Sequence, residues 1–299
     1  MLSYLSKRVY PTVFRSKLTR SKFYDVQETC NSDLRKTLQK ISQLQKRIED
    51  INNSADFQVN DTIEQSLKMF FIYHSNAIEG SKMSLNDTIA FLQDDVIYED
   101  NSARDHMDAL GHAAAVGLMD SALRGGEKID RNFVCQVNDL LTRHASNNSS
   151  QEVSGVYKVE SNSVHLADGN VHEYVEPEQV ATEMEELFEQ IEAGDHSKMH
   201  PVVKAAIAHY NFVRIHPFQH GNGRGARVLM NLILQQYDLP PAVIQVENKD
   251  KYIECLQSAD NGDIFPFVRF VAASLLETME LVLDTYHNEC HAARQIAMC

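Results

Sequence analysis

The stretch "RIHPFQHGNGRGARVLMNLIL", residues 214–234, decides how the rest of the chain is read. Val202, Val203, Ala206, Ile207 and Phe212 lead into it with helical spacing, and Pro217 stops that helix, so His216 falls where helix gives way to loop. Gly221, Asn222 and Gly223 allow a tight backbone turn, and an apolar, helix-spaced segment follows at once. A helix that starts this way aims several unpaired N–H groups and the positive end of its dipole at one point, which suits anions and phosphate in particular. Arg224 and Arg227, three apart on the first turn, share one side and can grip further phosphate oxygens. A histidine beside such a seat suits a general base that takes a proton from an attacking hydroxyl. Positioning and charge neutralisation are most of what phosphoryl-type transfer asks of a protein.

Working outward, the spacing predicts helices over 31–51, 63–73, 85–92, 106–123, 130–143, 201–214 and 223–237, and from 249 to the end with a break at "NGDIFP". Pro177 opens another, with Met184, Leu187, Phe188 and Ile191 as its stripe. The 31–51 helix carries the stripe Leu34, Leu38, Ile41, Leu44, Ile48, Ile51, which fits packing on its own domain better than a coiled coil, being under three heptads long. The polar run 52–61 is the candidate hinge after it. In "GVYKVESNSVHLADGNVHEYVEP" polar and β-branched residues alternate around an "ADGN" turn, so this segment reads as a β-hairpin. The chain is therefore expected to be all-α with one hairpin insertion.

Composition narrows the class. The 299 residues are 43% hydrophobic, with seven prolines and twelve glycines, enough for a sizeable core and little disorder. The five cysteines are scattered and never form a C-x-x-C pair, which indicates neither a disulfide framework nor a zinc ribbon and fits a reducing, cytoplasmic setting. No window approaches the roughly 18 apolar residues of a membrane span. Residues 1–24 carry six basic residues and no acid, yet the whole chain stands at −14, so the remainder sums to −20 and nucleic acid is an improbable partner. The basic start has the composition of a targeting segment, an exposed arm or a partner-docking tail, and these stay open. His287 and His291 have zinc-like spacing without a third ligand and read as a solvated helix face, and His209 reads as a hydrogen-bonded core histidine.

With these residues in view, the opening stretch resembles the core motif of the Fic family (Fido superfamily), His-Pro-Phe-x-[Asp/Glu]-Gly-Asn-Gly-Arg-x-x-Arg, matching at His216, Pro217, Phe218, Gly221, Asn222, Gly223, Arg224 and Arg227. The resemblance implies a Fic-type helical bundle with a β-hairpin flap, an N-terminal helical extension and C-terminal helices. It divides the chain into a basic arm and helix at 1–58, a Fic domain at 59–275 with inhibitory helix 63–80 and flap 155–175, and a C-terminal helix at 276–299. It implies transfer of AMP from ATP to a Ser, Thr or Tyr hydroxyl of a target protein, with His216 as base and pyrophosphate released. Gly221, Asn222, Gly223, Arg224 and Arg227 would hold the nucleotide, Pro217 and Phe218 would shape and anchor the loop, and Tyr252 and Asp260 would line the base, although the family often has Asn where Asp260 stands. "YHSNAIEGSKMSL" resembles the family's inhibitory motif at Ser75, Glu79 and Gly80, which implies that Glu79 pairs with Arg227 and that some relatives use the same glutamate for de-AMPylation. The hairpin resembles the target-docking flap, with Val164, His165, Leu166 and Ala167 as its docking residues, and a homodimer is an implied partner alongside ATP and the target.

One position departs. His220 stands where the family usually has the acid that holds Mg2+ or Mn2+, and imidazole is a poor ligand for a hard, oxygen-seeking cation. Four readings therefore stay open from sequence: a metal held by phosphates and water, a different metal or donor, a relative that moves UMP, phosphocholine or phosphate, and a nucleotide-binding module with weak catalysis.

Overall fold

In the computed structural model, residues 13–14, 32–54, 57–143, 154–165, 171–194 and 199–297 are described. Ten α-helices account for most of them: α1 (Ser32–Asn52), α2 (Phe57–Ile78), α3 (Leu85–Asp94), α4 (Ala103–Gly125), α5 (Arg131–Thr142), α6 (Pro177–Gly194), α7 (Pro201–Ile215), α8 (Asn222–Gln235), α9 (Lys249–Asp260) and α10 (Phe265–Ala297). Strands β2 (Ser163–His165) and β3 (Val171–Glu173) pair antiparallel, with Val164 opposite His172, and β1 (Val13–Phe14) lies parallel on the other edge of β3. The all-α class with a hairpin insertion stands, with β1 as an addition that composition did not signal.

Local chemistry sets the helix ends. Ser102 and Asp105 form a reciprocal capping box at the start of α4, and Gly126 closes that helix in the left-handed conformation. Asp130 caps α5 through the Phe133 N–H, and Pro201 begins α7 where its missing donor costs nothing. At the centre, α7 and α8 are buried on nearly every side, as expected of helices that are apolar all round. The other helices form a shell around this pair, α5 and α4 against α8 and α6 against α7, and α1 lays Leu34 and Ile41 into the core alongside α10.

Two sequence expectations change. The 52–61 hinge is shorter than read, because α2 already begins at Phe57. Val59 and Ile63 pack on Val282 and Tyr286, and the Tyr286 hydroxyl lies within hydrogen-bond reach of the Asn52 and Asn60 side chains, so apolar and polar contacts both draw this run into helix. The hairpin is also shorter: residues 156–162 form no strand, because Tyr157 and Lys158 turn inward against the loop after α7.

Candidate active site

The centre of the site is the connection between α7 and α8. His216 closes α7 in the left-handed conformation (φ 51°), its N–H still donating to the Phe212 carbonyl. Phe218 is buried against Phe212 and Tyr157 and anchors the loop. Four side-chain and backbone donors then fasten the loop's carbonyls: Asn222 Nδ2 (2.8 Å) and Asn162 Nδ2 (3.2 Å) to Phe218 O, the Lys158 N–H to Pro217 O (2.8 Å), and Asn138 Nδ2 to His220 O (2.8 Å). Asn222 Oδ1 also accepts from the Phe218 N–H (2.9 Å), so its amide is spent on the loop and its backbone N–H is what it offers a ligand. Gly221 (φ 80°) precedes α8, and a Cβ there would meet Thr142 Cγ2 at 2.7 Å. No side chain caps α8 at Gly221, so the N–H groups of its first turn are not spent on a cap.

His216 is prepared as a base. Its Nδ1 lies 3.1 Å from the Val213 carbonyl, which can only accept, so Nδ1 carries the proton and Nε2 keeps its lone pair. The Tyr174 ring stacks on the imidazole at 3.7 Å between centroids and 16° between planes. Burial, aided by the Lys158 and His172 charges and opposed by the Val213 carbonyl and Glu79, lowers its pKa from 6.5 to about 4. The ring is therefore neutral at physiological pH.

Arg224 and Arg227 are both held by carboxylates. The Arg227 side chain is 1% exposed; its Nε donates to Ser75 Oγ (2.8 Å), and its Nη2 donates to Ser75 O (2.8 Å) and Glu79 Oε1 (2.7 Å). Its Nη1 finds no hydrogen-bond partner among the described residues. Gly223 shows where the Glu79 carboxylate rests, since a Cβ there would lie 2.3 Å from Oε1. Glu79 thus sits over the first turn of α8, in the seat the sequence assigned to phosphate. Burial pushes this carboxyl up, but Arg227, Arg224 and Lys249 outweigh it and hold it below the usual range. Gly80 (φ 102°) follows directly, where α2 ends.

Three supports had no signal in the sequence. Asp108 of α4 takes Arg224 Nη1 at 2.6 Å across 116 residues. Asn76 donates to Asp108 O (3.3 Å) and pairs with His112 Nδ1 (3.2 Å), tying α2 to α4 beneath the arginines. His74 Nδ1 accepts from the Val246 N–H (3.1 Å) and ties α2 to the turn before α9. Each joins residues too distant for any local spacing to reveal.

Tyr252 is buried beside Arg227, its hydroxyl 3.2 Å from His209 Nε2, so His209 is the bonded core histidine expected. Asp260 accepts from Tyr210 Oη (3.1 Å) and lies 3.7 Å from His172 Nδ1, at the root of the flap. Val164 is exposed on β2 and His165 pairs with Val171, while Leu166 and Ala167 lie outside the described residues.

His220 is exposed, and among the described residues no three His, Cys, Asp or Glu side chains converge to hold a metal. The donor set does not fit a protein-held Mg2+.

Comparison with known proteins agrees with this geometry. The Fic/DOC family is matched over residues 128–234. The chain is 30% identical over 231 residues to "Protein adenylyltransferase fic-1" of Caenorhabditis briggsae, covering 76% of this chain and 44% of that protein. It is 35% identical over 213 residues to "Protein adenylyltransferase Fic" of Nematostella vectensis, covering 71% and 48%. The chain thus spans about half the length of these curated relatives. Among solved structures, a Fic domain containing signaling protein of Bacteroides thetaiotaomicron superposes with a TM-score of 0.75 at 25% identity, over 84% of this chain and 97% of that one. Fic-1 of Caenorhabditis elegans, residues 134–508, gives 0.73 at 26% identity, over 85% and 73%.

Proposed function

The chain belongs to the Fic/DOC family, and on that premise we propose that it is a protein adenylyltransferase held in check by Glu79. Residues 59–275 are the catalytic unit in this reading. The observation that carries it is the neutral His216, with Nε2 free to accept a proton, at the mouth of a helix whose N-terminus and two arginines form one anion seat. The target's Ser, Thr or Tyr hydroxyl gives its proton to Nε2 while its oxygen bonds to the α-phosphorus of ATP. The bond from that phosphorus to the bridging oxygen breaks, and pyrophosphate leaves.

The backbone N–H groups of Asn222, Gly223 and Arg224 hold the α- and β-phosphates, and the Arg224 guanidinium assists. Arg227 takes the γ-phosphate once Glu79 releases it, Tyr252 and Asp260 line the base, and the edge of β2 at Val164 receives the target as an added strand. Glu79, ionised and 41% exposed, is also placed to serve the reverse reaction, removing AMP from the modified hydroxyl.

Intact mass after incubation with ATP and Mg2+ tests this reading. Wild type should gain little, Glu79→Gly should gain an AMP-sized adduct, and His216→Ala should gain none. A second reading, a nucleotide-binding module with weak catalysis, is favoured by the lack of an acid at His220. ATP binding by Glu79→Gly without any adduct, on itself or on an added target, would select it.

A further inference from the structure

We propose that Lys158 is a positioning residue for the transfer, a fixed cation braced behind the catalytic loop that holds that loop and the Tyr174 ring against His216. The proposal rests on His216 being the base. Lys158 lies in the non-strand lead to the flap, buried, with three ties to the site. Its backbone N–H donates to Pro217 O (2.8 Å). Its ammonium donates to Asn162 Oδ1 (2.6 Å) and stands 5.8 Å from the centroid of Tyr174, the ring that stacks on His216.

The ammonium also orients the brace. An ammonium can only donate, so the oxygen of the Asn162 amide must face it and the NH2 is turned toward Phe218 O, 3.2 Å away. The Phe218 carbonyl, which can only accept, asks for the same orientation, so without the ammonium Asn162 Oδ1 loses its partner and the tie to the catalytic loop weakens. Packing alone does not account for a lysine here. A methionine would fill similar space with no ammonium to desolvate, and burial already lowers the Lys158 pKa from 10.5 to about 8. The charge survives at neutral pH.

The groups facing the imidazole come from three segments: Lys158 before β2, His172 on β3 and Glu79 just beyond α2. Lys158 and His172 favour the neutral ring and Glu79 opposes them, so Lys158 offsets the same carboxylate that brakes the enzyme.

The experiment is an NMR titration of the His216 ring in wild type, Lys158→Met and Lys158→Arg, with thermal melts to establish folding. Wild type should titrate near 4, Lys158→Arg should follow it, and Lys158→Met should move upward by part of the shift, since burial, its largest cause, stays. In the Glu79→Gly background, Lys158→Met should also lower kcat for AMP transfer about tenfold with KM for ATP little changed, a split expected of a positioning defect. Should Lys158→Met not fold, Lys158→Gln carries the same prediction. A folded Lys158→Met whose His216 titrates with wild type overturns the proposal. The titration needs no turnover, so it decides the role of Lys158 even if AMP transfer itself proves wrong.

Discussion

Arg227 and Arg224 stand three residues apart on the same turn of α8, and each is met by a carboxylate, but the two carboxylates are held very differently. Glu79 follows the last turn of α2, is 41% exposed and precedes a left-handed glycine. Asp108 projects from the second turn of a capped helix, is 18% exposed, and its backbone is tied to Asn76. A partner at a helix end can withdraw with little rearrangement, whereas one inside a helix cannot move without its helix. The first pair has the build of a switch and the second that of a strut.

Breaking the strut should give the largest effect. Asp108→Ala leaves the Arg224 guanidinium, 8% exposed, without its counter-ion, and should cost about 3 kcal/mol, or roughly 6–10 °C in Tm by calorimetry. If it instead melts like wild type and transfers AMP faster, Asp108 is a second brake and the contrast fails. Opening the switch also takes the carboxylate from a buried guanidinium, Arg227 at 1% exposed, so the melt should fall by about 1–3 kcal/mol without nucleotide and recover when ATP supplies phosphate to the seat. The same change should raise self-modification about 10- to 100-fold, the range of a lost charge-assisted contact. A double-mutant cycle of Glu79→Gly with Asp108→Asn sharpens the point: Arg224 acts on both carboxylates, so the two changes should couple by about 0.5–3 kcal/mol in stability rather than add.

The smallest expected effect is in pH. Glu79 is held below its ordinary value, so its contribution is present above that value and is lost only as pH falls through the lowered one. His216, at about 4 when folded against 6.5 when free, disfavours folding as pH drops between those two values and has no effect above them. The kcat/KM of Glu79→Gly should thus be flat from about pH 5 to 7 with its acid limb near 4, whereas a limb near 6.5 would show that the buried histidine titrates as if free.

The helices and the anion seat were legible in the sequence because both rest on local spacing. A stripe every three or four residues, a proline after His216 and a glycine turn before Arg224 each act within one or two turns of chain. Asp108, Asn76, His112 and Lys158 were not legible, because what they do depends on partners brought close only by the fold. The same limit misjudged the lead to the flap: its alternating residues fit a strand, but burial of Tyr157 and Lys158 against the loop claims them first.

The carboxylate over Gly223 has a further consequence. Glu79 is in effect a tethered ligand for the phosphate seat, present at a local concentration set by chain geometry and never diluted. ATP must displace it within one molecule, so the closed fraction depends on nucleotide concentration and is indifferent to how much protein is present. On that account the nucleotide level of the surroundings is itself an input to the switch, before any regulator acts on α2.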